Sequence, residues 1–231
     1  MKSLIMIIVL LFAANIQMLS DIYFKEEIRL ETPIDDDNTE TKIIGTSETW
    51  IGNNIIKYVE LNRLLIIDLT KMSLIYANTK NKTYVETSLP IDLKSFLGSD
   101  LMKVREKMLT SGFAIKTSDK AIVCGKECRM YQIAYCNGNH SDISSLVNIN
   151  LWATTDIPIP IDPYYVAVSF LRLLYNRDAK LSDDMAKIKG IQMKIEAVFI
   201  EDGIRKKNIA EVKEISEKQA PAGIYTLPRI I

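Results

Sequence analysis

From residue 22 onward, apolar and polar positions alternate along the chain. Ile22, Phe24, Glu26, Ile28 and Leu30 fall on one face, and Tyr23, Lys25, Glu27, Arg29 and Glu31 on the other. This period-two pattern predicts a half-buried strand. The segments TKIIGTSETWI and NIIKYVEL follow, with Gly52-Asn53-Asn54 between them as a hairpin turn. RLLIIDL, MSLIYA and KTYVETSL come next, separated by the turn-rich TKM and NTKNK. Beyond Phe113 the pattern resumes in FAIKT, KAIVC, CRMYQIAY and SLVNINLWAT. IQMKIEAVFI and KKNIAEVKEIS then flank Glu201-Asp202-Gly203, and Asp-Gly is a strong signal for a two-residue hairpin. The spacing predicts an antiparallel meander of about ten or eleven strands, a sheet long enough that it must curl to bury its apolar face.

Two stretches break the alternation. In SDLMKVREKMLTSG, Ser99 can cap a helix and Asp100 suits its positive start. Leu101, Met102, Val104, Arg105, Met108 and Leu109 then form one largely apolar stripe with a polar back. DPYYVAVSFLRLLYN begins with Asp162 as cap and Pro163 in the first turn, and is apolar on most sides from Tyr164 to Tyr175. LSDDMAKIKG adds a short helix closed by Gly190. The expected fold class is therefore α+β: a curved antiparallel sheet, an incomplete barrel, with helical segments over 92–110 and 160–189 packed on its concave face.

The first residues change the picture of where this sheet resides. Lys2 is followed by an unbroken apolar run from Leu4 to Ala14, the layout of a secretory signal peptide. Cleavage near residue 20 leaves a single domain over 21–231 that is secreted or periplasmic. An uncleaved anchor is the rival, but Asn15 and Gln17 break the run short of the roughly 20 apolar residues a spanning helix needs. Lys plus Arg and Asp plus Glu are equal at 29 each, so nothing favours nucleic acid. The acidic run DDDNTE at 35–40 lacks the alternate-oxygen spacing of a calcium loop and reads as solvated turn surface.

All three cysteines and the only histidine lie in CGKECRMYQIAYCNGNH, residues 124 to 140. Four soft ligands within so short a stretch resemble a zinc count, but the alternation of CRMYQIAYC separates Cys128 from Cys136 by roughly 27 Å of extended strand. No metal is assigned. With Gly125-Lys126-Glu127 as a short loop, Cys124 and Cys128 oppose each other at a separation a disulfide can span, and an oxidising compartment favours the bond. Three reduced cysteines packed as small apolar residues are the alternative. His140 sits in a turn, and no nucleophile–base arrangement, phosphate-cradling loop or cofactor motif accompanies it. The chain is read as a non-enzyme without cofactor.

Several short motifs recur in an order along the chain that resembles a known group. They are Trp50 before a small turn, YANTKNKTYVE from Tyr76 to Glu86, G-x-x-C-x-x-Y from Gly125 to Tyr131, LWATTDIP from Leu151 to Pro158, and the closing PAGIYTLP. Together they resemble an uncharacterised family of secreted bacterial proteins whose fold is similar to periplasmic lipoprotein carriers of the LolA and LolB type. Cys124 and Cys136 are not part of that pattern. The resemblance implies a curved half-barrel around helices, with an apolar cavity for acyl chains.

Two jobs fit these readings. One is a binding protein that carries or senses a lipid or other hydrophobic ligand, lined by Trp50, Tyr76, Phe96, Leu101, Met108, Trp152, Tyr165, Phe170 and Leu174. The other is an envelope protein-interaction or structural module without a ligand. Each of those side chains is also what a filled core would use. Membrane contact is expected to be peripheral or absent.

Overall fold

The computed structural model of the chain describes residues 20–35, 37–89, 110–137, 146–157, 184 and 187–227. They form one open antiparallel sheet of eleven strands. The first six are β1 (Asp21–Pro33), β2 (Thr39–Gly52), β3 (Ile55–Glu60), β4 (Arg63–Asp68), β5 (Ser73–Asn78) and β6 (Thr83–Ser88). The remaining five are β7 (Thr110–Val123), β8 (Lys126–Asn137), β9 (Leu146–Thr154), β10 (Ile191–Glu201) and β11 (Ile204–Lys218). The order across the sheet is β6-β5-β4-β3-β2-β1-β11-β10-β9-β8-β7. Two sequential meanders are thus joined by the pairing of the first strand with the last.

Turn chemistry explains why neighbours in sequence are neighbours in space. Two-residue loops, Asn53-Asn54, Leu61-Asn62, Cys124-Gly125 and Asp202-Gly203, connect four of the hairpins. Both residues of Cys124-Gly125 and of Asp202-Gly203 have positive φ, the conformation that matches the twist of flanking strands. Leu61 adopts φ 49° without being Gly, Asn or Asp, so that turn carried no sequence signal.

Cross-strand register builds the core as a row. Ile22 lies opposite Ile51, Ile51 opposite Ile56, Ile56 opposite Ile67, and Ile67 opposite Leu74. These five aliphatic side chains are buried and run straight across β1 to β5 on one face, here called the inner face. Burial of each contributes about 1.5–3 kcal/mol. Val123, Cys128, Met193 and Val212, from the other meander, belong to the same cluster. β7 also approaches β11 directly, although β8, β9 and β10 lie between them in the sheet. Such an approach requires the sheet to curl.

A second cluster joins Ala114, Tyr131, Ile133, Leu151 and Ile188. Ile188 is brought there by the stretch before β10, whose Lys189 amide donates to the Tyr131 hydroxyl at 3.3 Å. Gly190 lets this stretch pass: its φ is +89°, and a Cβ would fall 2.1 Å from the Thr154 carbonyl oxygen.

The reverse face of β1 to β5 is covered by the chain end. The Ala220 amide donates to Asp21 at 2.9 Å, Lys57 Nζ donates to the Ile224 carbonyl at 2.6 Å, and Leu227 packs against Leu64, Ile66 and Ala77. Residues 219–227 thus form a strap.

The expectation of an α+β half-barrel with helices on a concave face is corrected. Among the described residues no helix packs on either face of the sheet. Thr110, expected as the end of a helix, instead opens β7 opposite Asn137, because the alternation around Phe113 and Ile115 extends back through Gly112. Within 184–189, Asp184 and Lys187 make one turn through a 3.1 Å backbone bond, and Ile188 then packs on the sheet. The remainder of 92–110 and of 160–189 lies outside the described residues, as do His140 and residues 1–19.

Candidate ligand-binding face

Strand register decides which of the expected lining residues share a surface. Tyr76 lies opposite Leu65, Leu65 opposite Tyr58, Tyr58 opposite Thr49, and Thr49 opposite Phe24. This second row parallels the aliphatic one, two residues further along each strand, so Tyr76 shares the inner face with Leu74. Tyr76 is 36% exposed, and its partner across β6, Val85, is 44% exposed. The inner face therefore passes from a buried aliphatic row to an exposed apolar lip at the β5–β6 edge.

Trp50 does not join that surface. It lies opposite Tyr23 and Lys57 on the reverse face and is only 6% exposed. Its ring meets that of Tyr23 at 4.7 Å, and the Lys218 ammonium stands 5.2 Å from its centre. Trp152 sits on β9 opposite Met130 and Lys194, partly buried against the main core cluster. The Lys194 ammonium is 5.0 Å from its ring. Phe96, Leu101, Met108, Tyr165, Phe170 and Leu174 lie outside the described residues.

A polar group closes the inner face two residues beyond the second row. The Ser47 hydroxyl donates to the Glu26 carboxylate at 2.5 Å, and the Tyr58 hydroxyl donates to Glu60 at 2.9 Å. Ser47 and Glu60 are themselves opposite each other, the last pair joining β2 to β3. Burial pushes the Glu26 carboxyl above its ordinary range, the bond from Ser47 opposes this, and the Glu60 charge adds to it. Burial and the Glu60 charge likewise push the Tyr58 hydroxyl up. Among the described residues neither carboxylate has an ion-pair partner. The signal for Glu26 was present in the sequence, as a carboxylate at the third position of an otherwise apolar strand face. The strap and its anchor Lys57 had no comparable signal.

At the β7–β8 hairpin Cys124 and Cys128 lie apart. Both thiols are free. The turn consists of Cys124 and Gly125 rather than 125–127, so Cys128 faces Ala121 while Cys124 stands at the exposed tip. Burial raises the Cys128 thiol above its usual value. The acidic run at 35–40 acts as a loop closure: the Asp35 carboxylate accepts from the amides of Asp37 and Asn38. Hydrogen bonds from Asn38 and Asp37 hold its carboxyl below the ordinary range.

No protein-family model matches the chain, and no curated protein matches it. In structure it is similar to a LolA superfamily protein from Nitrosomonas europaea, at 8% identity over 91% of each chain with a TM-score of 0.30. A domain assigned as an outer membrane lipoprotein-sorting protein from Vibrio parahaemolyticus shows 8% identity over 95% of this chain and 94% of that one, with a TM-score of 0.31. A DUF1329 family protein from Desulfovibrio piger shows 8% identity, 94% and 93% coverage and a TM-score of 0.30.

Proposed function

We propose that the chain is a secreted or periplasmic binding protein, without catalytic activity, that holds an acyl chain or another hydrophobic ligand against the inner face of its curled sheet. The observation that supports this reading is the continuity of that face. The buried row ending at Leu74 is extended by the exposed Tyr76 and Val85, an apolar lip open to an incoming ligand. Trp152 borders the same cluster, but through Lys194 and Glu211 it is in register with Glu27 on the reverse face, and it is left out of the lining. Phe96, Leu101, Met108, Tyr165, Phe170 and Leu174 are proposed to complete the lining. Trp50 is left to its structural role beneath the strap.

Displacement of a fluorescent fatty acid from the full chain tests the proposal, with native mass spectrometry of protein taken from its own envelope as the companion measurement. Saturable, displaceable binding that is weakened by Tyr76→Asp and Val85→Asp, with an unchanged melting temperature, is the expected result. Absence of any displaceable probe and of any co-purified lipid would overturn it.

A further inference from the structure

β2 is longer than the strand beside it. Its pairing with β3 stops at Ser47 opposite Glu60, whereas its pairing with β1 continues to Thr39 opposite Pro33. Among the described residues, 39–46 therefore have a partner strand on one side only, and 39–44 are exposed along the whole stretch. An unpaired edge of this kind is a template for another strand. It is held rigid from behind: β11 pairs with β1 as far as Glu31 opposite Lys207, and Lys207 Nζ lies 3.2 Å from the Glu31 carboxylate. Large apolar side chains gather around the gap. Ile43 is 60% exposed on the edge itself, Ile34 69% exposed at the base of the β1–β2 turn, and Leu61 70% exposed in the turn that ends β3. Leu61 reaches to within 3.8 Å of where a Cβ on Gly45 would stand, which places it beside the open edge.

We propose that this edge is a self-association surface, on which β2 of a second copy of the chain pairs antiparallel with β2 about a two-fold axis at Thr41. The charges on the edge specify the occupant. With Thr41 opposite Thr41 of the second copy, Glu40 of each chain faces Lys42 of the other, and the two pairs are made together by symmetry. Lys on an exposed edge ordinarily blocks such pairing; in this register it becomes half of an opposite-charge pair. The incoming strand runs in line with β3 and takes the position β3 vacates after Glu60. Its turn then carries Ile34 of the second copy towards Leu61, so the exposed apolar groups flank the paired strands. The bulge at Ile44, where Ile28 pairs with Gly45 but Arg29 pairs with Ile43, ends the flush stretch and sets its length at residues 39–43.

Charge exchange on the full chain tests this. Sedimentation equilibrium is measured for wild type, Glu40→Lys, Lys42→Glu and the double variant, with circular dichroism confirming that each retains its sheet. Wild type is expected to show a monomer–dimer equilibrium. Either single variant places like charges opposite each other twice and should weaken it by roughly ten- to thirtyfold. The double variant restores both pairs and should return to within about threefold of wild type. A wild type that stays monomeric to millimolar concentration overturns the proposal. So do single variants that dimerise as tightly as wild type, a double variant that stays as weak as the singles, or growth beyond the dimer.

Discussion

Lys57 on β3 and Ile224 in the strap, 167 positions apart in sequence, are joined by a 2.6 Å bond from the Lys57 ammonium to the Ile224 carbonyl. Burial lowers the Lys57 ammonium from its ordinary range, and the nearby Glu48 charge partly restores it. The strap is therefore held by a charged donor that is only 8% exposed. Lys57→Met should cost about 1.5–3 kcal/mol, the range for a hydrogen bond to a charged group. Limited proteolysis should then cut within 219–227 faster than in wild type. Equal cleavage rates and an unchanged denaturation midpoint would count against the anchor.

Glu26 makes stability depend on pH in a direction that can be worked out. Its folded carboxyl sits above the ordinary 4.5 because of burial, so the folded state holds the proton longer than the unfolded state. Stability is then present in full below 4.5 and declines as pH climbs through the raised value. Glu26→Gln keeps an acceptor for the Ser47 hydroxyl and removes the charge. It should melt higher than wild type at pH 7 and level with it at pH 4. Thermal melts at the two pH values read this directly, and a variant less stable at pH 7 sinks the assignment.

Two of the three cysteines of the β7–β8 hairpin, Cys124 and Cys128, should separate cleanly by reactivity. In a Cys136→Ser background, a thiol reagent at pH 8 should modify one group rapidly, Cys124. The second, Cys128, should react only on unfolding, since it is buried and its thiol is raised. Loss of the fast phase on Cys124→Ser identifies it. Two fast phases in the folded protein would contradict the packing of Cys128.

Leu74 ends the aliphatic row and is fully buried. Leu74→Ala should cost about 2–5 kcal/mol. Gly190→Ala should be at least as damaging, because it combines a left-handed backbone with a clash against the Thr154 carbonyl. Chemical denaturation gives both values; a loss under about 1 kcal/mol at either site would show that the local backbone yields.

What the sequence disclosed and what it hid divide along physical lines. Alternation is local, so the faces of β1 and the turn at Asp202-Gly203 could be read directly, and an antiparallel meander of about ten or eleven strands followed. Two runs, FAIKT and KAIVC, read as separate strands but form one, β7, with an irregularity between Lys116 and Lys120. The cysteine hairpin misled because Gly125 suggested the start of a loop. In the turn actually formed, the residue before it also takes positive φ, 48° at Cys124. At the candidate site, the inner-face position of Tyr76 follows from register, which depends on every turn in the meander. Trp50 shows the limit most plainly: an aromatic beside a turn looks the same whether it lines a ligand or supports a strap that arrives from the far end of the chain.

The pairing of β1 with β11 has a consequence for the order of assembly. Residues 21–88 form a meander of hairpins close in sequence, and such contacts form early because they close short loops, whereas β9 and β10 are separated by residues 155–190 and must close a longer one. The seam between β1 and β11 must wait for 204–218, which follow every other described strand in sequence. Until then β1 presents an unpaired margin, and the chain end that later straps its reverse face has not arrived. A chain emerging in sequence order would thus remain divided, and open to holding factors, until residues 204–218 have followed.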